Sequence, residues 1–293
     1  MTADAAAPAE TSARPLLSVR DVHKHFGGVA ALAGVSLDVP AGMVYGLIGP
    51  NGSGKTTLFN IITGFLRADQ GEVAFDGHAL NGLRAHQVAR LGLCRTFQAS
   101  QSPEQMTVME NMLLAPQDQI GESLANMIFR SGAIRQQETA NIARARELLA
   151  VVNLSSKADE YAGNLSGGQK KLLSLAQVLM AGPRLILLDE PVAGVNPLLV
   201  EEIATVVRRL REDGQNFLIV EHNMKFIRGS CDAISVLDAG RVIAAGEPRD
   251  VLRREDVLRA YLGRRSGPKD QTASRQAPSR FAASSGNDAH GAH

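Results

Sequence analysis

The stretch GPNGSGKT, residues 49–56, decides the fold class of this chain, because it fits the pattern G-x-x-x-x-G-K-[ST]. The apolar run MVYGLIG (43–49) before it predicts a short buried strand, and KTTLFNIITGF (55–65) after it predicts a helix. A glycine turn that matched the pattern by chance would have no reason to lie between a strand and a helix. The context therefore predicts a phosphate-binding loop, or P-loop, in an α/β domain.

Each residue type in this loop suits a nucleotide. Gly52 and Gly54 let backbone N–H groups turn toward phosphate oxygens, and the helix that begins near Lys55 adds about half a positive charge at its N-terminus. Lys55 is expected to reach the β- and γ-phosphates, and the Thr56 hydroxyl is expected to bind Mg²⁺. The predicted ATP-binding residues of the loop are Asn51, Gly52, Ser53, Gly54, Lys55, Thr56 and Thr57.

A second apolar run, RLILLDE (184–190), ends in two carboxylates. Ligands of open α/β folds bind at the carboxyl ends of the strands, so Asp189 is predicted to hold Mg²⁺, directly or through water. Metal binding alone explains a second carboxylate poorly, and Glu190 is therefore predicted to be the general base that activates water. Together with a P-loop, the two carboxylates indicate nucleotide hydrolysis.

Strand and helix patterns alternate along most of the chain, which favours a mostly parallel sheet with helices around it. Within the block from about 99 to 165 the pattern is helical and charged and no strand stands out, so an inserted helical subdomain is predicted there. Asn196 and Pro197 are expected to begin a helix as its N-cap and first residue. Further strands are predicted in LLSVRDV (16–22), VSLDV (35–39), EVAFDG (72–77), NFLIVEH (216–222) and AISVLDAGRVIAAG (233–246).

Composition limits the organisation and the functions of the chain. One folded domain is predicted over 16–263, between an Ala- and Pro-rich disordered lead (1–15) and a polar disordered tail (264–293). The net charge of +1 and the aromatic fraction of 4% do not favour a nucleic-acid partner. No run reaches about 18 apolar residues, so we expect no transmembrane helix and a cytoplasmic protein that a partner brings to any membrane.

A second glycine-rich turn, NLSGGQKK (164–171), precedes the apolar run LLSLAQVLMAG. Ser166 and Gln169 read as a capping box, with Ser at the N-cap and Gln three residues later. A cap does not require Gly167 and Gly168, each of which costs up to about 1 kcal/mol in a helix. Close approach of a phosphate to the backbone would require them, so this turn is predicted to be a second phosphate site.

These motifs, in this order, resemble the ATP-binding cassette (ABC) ATPases, in which LSGGQ is the signature. The resemblance implies an α/β fold with a P-loop NTPase (RecA-like) parallel-sheet core, an N-terminal antiparallel β subdomain and an inserted helical subdomain. It implies that Phe26 stacks on adenine, that Gln98 contacts Mg²⁺ and the attacking water, and that His222 contacts the γ-phosphate. Glu190, His222 and Gln98 are thus the predicted catalytic residues, and Thr56, Gln98 and Asp189 the predicted Mg²⁺ ligands.

The resemblance also answers why one chain carries two phosphate sites. In this family two ATPase domains dimerise head to tail, and each ATP lies between the P-loop of one and the signature of the other. The expected signature contacts to the partner's nucleotide are Ser166, Gly167, Gly168 and Gln169. The expected cofactors are therefore ATP and Mg²⁺, and the expected partner is a second ABC ATPase subunit, identical or homologous.

A narrower match is to the ATPase subunit of branched-chain amino acid importers, through FGGVAAL, RTFQ, MTVMENMLLA, DEPVAGVNP and AYLG (260–263). Asn196 stands where most ABC ATPases carry Asp, and this importer subgroup often has Asn. The resemblance implies permease subunits as partners, a periplasmic substrate-binding protein as an indirect one, and a peripheral position on the inner face of the cell membrane. The alternatives are another substrate (urea, amides, extracted lipopolysaccharide) or a non-transport ABC ATPase.

Overall fold

The computed structural model describes residues 14–96, 102–116 and 131–262. The predicted tail, 264–293, and most of the predicted lead, 1–15, lie outside these residues. No helix within the described ranges is both long enough and apolar enough to span a bilayer.

Two sheets form the framework. The first is antiparallel, with strand order β2-β1-β4-β5; the second has order β10-β9-β3-β8-β7-β6 and is parallel except for the β9–β10 pair. The strands are β1 (Leu17–Phe26), β2 (Val29–Val39), β3 (Val44–Ile48), β4 (Gln70–Phe75), β5 (His78–Ala79), β6 (Leu93–Arg95), β7 (Leu185–Asp189), β8 (Asn216–Val220), β9 (Ala233–Asp238) and β10 (Arg241–Gly246).

Helices connect and cover the strands. They are α1 (Lys55–Ile62), α2 (Ala85–Arg90), α3 (Val108–Leu113), α4 (Ser131–Val151), α5 (Gly167–Met180), α6 (Pro197–Glu212), α7 (Met224–Ser230), α8 (Pro248–Val251) and α9 (Glu255–Leu262). Short 3₁₀ turns lie at Ser155–Lys157 and Ala162–Asn164. As predicted, Asn196 caps α6, with its side-chain oxygen accepting from Leu199 N at 3.0 Å.

Alternate residues of the central strands face two different hydrophobic clusters, because successive side chains of a strand point to opposite faces. On β7, Leu187 packs with α1 and the antiparallel sheet, whereas Ile186 packs with α3, α4, α5 and α6. On β8, Leu218 belongs to the same cluster as Leu187, and Ile219 belongs to the same cluster as Ile186. The parallel sheet is thus a middle layer, and the predicted helical block shares a core with one of its faces.

The carboxyl ends of the central strands meet at one edge. Asp189 on β7 lies in register with Val220 on β8, and Val220 in turn pairs with Leu47 on β3. Residues that follow these positions directly are therefore brought together, as in other open α/β sheets. The P-loop follows β3, Glu190 follows β7, and the segment containing His222 follows β8.

Two details of the elements differ from the sequence-based prediction. The helix after the P-loop ends at Ile62 and does not continue to Phe65, because Gly64 has φ of +74° and ends it in the left-handed conformation. The described parts of the predicted helical block, 102–116 and 131–165, contain α3, α4 and the two 3₁₀ turns. Their one β contact, which the sequence did not predict, is an isolated bridge between Thr107 and Tyr161.

Candidate nucleotide-binding site

The P-loop backbone turns through glycines that no other residue could replace without strain. Gly52 and Gly54 have φ of +75° and +108°, in the region that glycine adopts at no steric cost. A Cβ on Gly54 would lie 2.5 Å from Ala31 O, and one on Gly49 would lie 2.0 Å from Leu237 O. The loop is thus pressed against β2 and the end of β9, and its form agrees with the prediction from the motif.

Lys55 lies inside this turn. Its Nζ donates to Gly49 O at 2.8 Å and to Pro50 O at 2.9 Å, and the residue is only 9% exposed. Thr56 is exposed beside it at the start of α1, where the first backbone N–H groups and the helix dipole favour an anion. The lysine ammonium therefore lies within the loop, and the Thr56 side chain is exposed at the helix terminus.

Asp189 is buried and ion-paired. Its side chain is 2% exposed, and its Oδ2 accepts from Arg95 Nη2 at 2.5 Å. The same guanidinium donates through Nη1 to Asn60 Oδ1 at 2.7 Å on α1. Arg95 was not among the predicted site residues, and its only signal was a cation that follows a short apolar run and begins the RTFQ motif. The ion pair joins the strand of Asp189 to the helix that follows the P-loop.

Glu190 and His222 approach each other from neighbouring strands. His222 Nδ1 lies 3.8 Å from Glu190 Oε1, with the histidine side chain 58% exposed and the glutamate 35% exposed. The two predicted catalytic groups are therefore adjacent and open to solvent. A cavity of about 40 Å³, room enough for a water molecule, is lined by Thr96, Lys171, Asp189 and Glu190.

Phe26 is not a core residue. It is 51% exposed at the end of β1, and Lys24 Nζ lies 5.7 Å from its ring centroid. Asp69 fixes this strand end by accepting from Lys24 Nζ at 2.6 Å and from His25 N at 2.7 Å. These contacts lower the pKa of the Asp69 carboxyl, the hydrogen bond from Lys24 most of all. The ring is available for stacking, as the prediction requires.

The capping box at the signature turn is formed as predicted. Ser166 Oγ accepts from Gln169 N at 3.3 Å, and Ser166 N donates to Gln169 Oε1 at 2.9 Å. Gly167 is exposed with open space around it, in agreement with a role in phosphate approach. Gly168 has a different reason to be glycine: a Cβ there would lie 1.8 Å from Leu199 Cδ2. Phosphate approach alone therefore does not explain Gly168, because a Cβ there would also have to displace the Leu199 side chain where α5 packs against α6.

The helices that follow the signature turn and the P-loop pack on opposite faces of the sheet. The P-loop helix α1 belongs to the cluster shared with the antiparallel sheet, whereas the signature helix α5 belongs to the cluster on the other face. Asp189, Glu190 and His222 lie with the P-loop at the sheet edge. Gln98, the remaining predicted catalytic residue, lies outside the described residues.

Comparison with known proteins gives consistent matches. The sequence profile of the ABC transporter family matches residues 32–193. The chain is 38% identical over 251 residues to the high-affinity branched-chain amino acid transport ATP-binding protein BraF of Pseudomonas aeruginosa, covering 85% of this chain and 98% of BraF. It is 40% identical over 248 residues to the probable branched-chain amino acid transport ATP-binding protein LivG of Archaeoglobus fulgidus, covering 85% of this chain and 95% of LivG.

Solved structures agree with these matches. An ATP-binding cassette of an ABC transporter in its ADP conformation superposes with a TM-score of 0.74 at 38% identity, covering 86% of this chain and all of that chain. A dimeric ATP-binding cassette in a post-hydrolysis state, bound to ADP and phosphate, superposes with a TM-score of 0.64 at 27% identity, covering 80% of this chain and 99% of that chain.

Proposed function

The chain belongs to the ABC transporter family, and from this membership we propose that it is the ATP-hydrolysing subunit of an importer for branched-chain or other hydrophobic amino acids. The hydrolytic role rests on one observation: Glu190 and His222 approach to 3.8 Å at the sheet edge that carries the P-loop. The substrate rests on relatives whose names specify branched-chain amino acid transport and whose length this chain matches almost completely.

Nucleotide binding follows from the P-loop and Phe26. The backbone N–H groups around Gly52 and Gly54 and the N-terminus of α1 stabilise the phosphates, and Lys55 adds a fixed positive charge beside them. Phe26 stacks on adenine through its exposed ring face. Asn51, Ser53 and Thr57 complete the loop around the phosphates.

Mg²⁺ would be held by the Thr56 hydroxyl, the Asp189 carboxylate and, in the proposed set, Gln98. Thr56 and Asp189 fit the ion, since Mg²⁺ prefers oxygen ligands and commonly uses one or two carboxylates together with substrate phosphates. Arg95 orients the Asp189 carboxylate from the side through its ion pair. When bound, the ion neutralises charge that develops on the transferring phosphoryl group.

Hydrolysis needs a base for water and a contact to the γ-phosphate. Glu190 is partly exposed just past the end of β7, where its carboxylate can accept the proton of the attacking water. His222, 3.8 Å away, is proposed to donate to a γ-phosphate oxygen and to keep the glutamate oriented. Gln98 is proposed to orient the same water.

The position of the signature supports a composite site made by two chains. Because α5 and α1 lie on opposite faces of the sheet, Ser166, Gly167 and Gln169 are proposed to contact the nucleotide held by a partner's P-loop. ATP would then stabilise the closed dimer, and hydrolysis would release it. A switch requires a ligand that contacts two states differently, and here the nucleotide would contact both chains only in the closed dimer. The partner is a second ATPase subunit of the same family.

A groove beside the helical block supports attachment to a permease. It has a volume of about 460 Å³ and lies between α2 and α5, and its lining includes Phe65, His86, Ala115, Gln177 and Val178. We propose that the helical block, residues 99–165, and this groove receive a permease subunit. The protein would then act on the inner face of the cell membrane, with a periplasmic binding protein delivering the amino acid to the permease.

The direct test of the hydrolytic role is Glu190→Gln. This change keeps the shape and hydrogen bonding of the side chain but removes the base, so we expect ATP binding to persist and steady-state hydrolysis to fall by at least about a hundredfold. Binding is measured by calorimetry and hydrolysis by phosphate release. Wild-type turnover by a folded Glu190→Gln protein would exclude Glu190 as the base.

Two controls complete the test. Glu255→Gln alters an exposed glutamate that pairs with Arg259 on α9, and its turnover is expected to equal that of the wild type. Uptake of labelled leucine by the subunit with its permeases, with urea and a short amide as competitors, tests the proposed substrate. If urea or the amide, but not valine, competed with leucine uptake, the chain would be the ATPase subunit of an importer for a different substrate.

A further inference from the structure

Glu190 has a strained backbone. Its φ is +48°, a conformation that costs a non-glycine residue free energy and persists only when its surroundings enforce it. Its N–H donates to Val220 O at 2.9 Å, which continues the pairing with β8 for one residue. In the turn that follows and leads to Asn196 at the start of α6, Ala193 N donates to Glu190 O at 3.2 Å and Val195 N to Val192 O at 3.3 Å.

Lys171 holds this turn from the signature helix. Its Nζ donates to Glu190 O at 2.9 Å and to Ala193 O at 2.8 Å, so one ammonium group bridges two carbonyls of the turn. Burial lowers the pKa of the Lys171 amine, while the charges of Glu221 and Glu190 act in the opposite direction. The lysine has no place in the nucleotide chemistry described above.

Glu221, which directly follows β8, holds the same turn. It is 1% exposed, and its Oε1 accepts from Val192 N at 3.0 Å. Its Oε2 accepts from His222 N at 2.8 Å and from Asn223 N at 2.9 Å. A buried carboxylate is costly unless it is hydrogen-bonded, and here every bond goes to the backbone around Glu190 or His222.

We propose that Lys171 and Glu221 are positioning residues for hydrolysis: as a Lys171–Glu221 clamp they hold the backbone turn of Glu190 so that its carboxylate faces His222. The clamp rests on the proposed function of Glu190 and adds the residues that keep it in place. Because Lys171 lies five residues after Ser166 on the same helix, the clamp also connects the signature turn to the hydrolytic carboxylate of its own chain.

The chain offers a matched pair of lysines for the test. Lys171→Met keeps a side chain of similar length but removes the donor, and Lys171→Arg restores two donors. Lys170→Met is the control, since the neighbouring Lys170 pairs with the exposed Glu104 and not with the turn. Each variant is assayed for ATP affinity, for kcat and KM of hydrolysis, and for amide hydrogen exchange in the peptide 188–196.

The clamp predicts a specific combination of results. In Lys171→Met the amides of Glu190 and of 192–195 exchange faster; Pro191 has no amide proton. The kcat falls about tenfold or more while ATP affinity changes less than about threefold, because a small displacement of a reacting group is enough to lose rate. Lys171→Arg recovers most of kcat and of the protection, and Lys170→Met behaves as the wild type.

Glu221→Gln provides an independent second variant. It keeps the shape but replaces an accepting oxygen with a donating NH₂ group that faces a backbone N–H, so it is expected to raise exchange in the same amides and lower kcat. If Lys171→Met does not fold, the test uses Glu221→Gln and Lys171→Arg instead. The arginine variant is expected to fold and retain activity.

The outcomes separate the clamp from the role of Glu190 itself. Unchanged exchange at 190–195 in both Lys171→Met and Glu221→Gln would overturn the clamp, even if Glu190→Gln is inactive as expected. Equal losses of kcat and ATP affinity, with no recovery in Lys171→Arg, would also overturn it, because that pattern indicates damage to the whole domain. A fully active Glu190→Gln would instead remove the function on which the clamp rests.

Discussion

At the scale of residues, the adjacent carboxylates of Asp189 and Glu190 have different surroundings. Asp189 is 2% exposed and paired with Arg95, whereas Glu190 is 35% exposed and faces His222. A buried carboxylate that an ion pair holds keeps its position, which suits a metal ligand. A partly exposed carboxylate beside a histidine is accessible to a water molecule, which suits a base. The environment therefore divides the two roles between neighbours in the sequence.

Phe26→Ala is expected to weaken ATP binding by about 1–3 kcal/mol, the usual contribution of a base stacked on an aromatic ring. Phe26→Tyr keeps the ring face and is expected to bind ATP like the wild type. GTP should still bind measurably, because stacking does not read the hydrogen-bond pattern of the base. Calorimetric titration of each protein with nucleotide measures these affinities.

Phe65→Ala is the matched control, since Phe65 is a similarly exposed ring, 55% exposed, in the groove between α2 and α5. It should leave ATP affinity unchanged. Equal affinities of wild type, Phe26→Ala and Phe26→Tyr would exclude the stacking role and leave Phe26 as a surface residue.

Residues within contiguous motifs could be predicted from the sequence, but those defined by distant partners could not. Lys55 and the capping box of Ser166 follow from spacing alone, since their partners lie within a few residues. Arg95 bonds to the Asp189 carboxylate, and Lys171 bonds to backbone carbonyls of the 189–193 segment. Their roles could not be predicted, because these partners are distant in the sequence and come near only in the folded protein. Glu221 lay at the end of a predicted strand, but the sequence did not indicate that its carboxylate accepts hydrogen bonds from three backbone N–H groups.

At the scale of elements, the contact of α5 with α6 depends on Gly168. A methyl group there would collide with Leu199, so Gly168→Ala is expected to lower the free energy of unfolding by about 1–3 kcal/mol, as overpacking does. Gly167→Ala meets no neighbour within 4 Å and should leave stability unchanged or slightly raised, because alanine is the better helix former.

Denaturant unfolding of the two variants measures this difference, and their ATPase rates separate packing from chemistry. Gly167→Ala should lose hydrolysis while staying folded, since Gly167 is the glycine with open space for a phosphate. Equal stability of the two variants would contradict the packing role assigned to Gly168.

The strands and long helices were predictable because their patterns are strong. β3, β7 and β8 are buried on both faces and read as apolar runs, and α6 carries its N-cap and Pro in sequence. Short elements such as α2 and β6 were not identified, because six and three residues give too little periodicity. The end of α1 could not be predicted, because it depends on the left-handed backbone of Gly64, and a glycine can also lie inside a helix.

At the scale of the whole molecule, the three layers separate the helices that follow the two proposed phosphate sites. The P-loop and the carboxylates share the sheet edge, and the signature helix packs on the opposite face from α1. In the proposed arrangement, one chain presents half of each of two sites, which two chains placed head to tail would complete. This composite geometry is the central claim, because it explains why a single ATPase domain carries both GPNGSGKT and NLSGGQKK.

Mixing two inactive variants tests that claim most directly. Lys55→Ala removes the P-loop charge and Ser166→Arg blocks the signature turn, so a dimer of either variant has two defective sites. A mixed dimer has one site with both defects and one with neither, and ATPase activity is expected to return on mixing.

If the native partner is another ATPase, Lys55→Ala is paired with the corresponding signature change in that chain. Ser166→Arg must first be shown to fold, since loss of the N-cap alone costs about 1 kcal/mol. No activity from a folded, dimerising mixture would contradict the head-to-tail site.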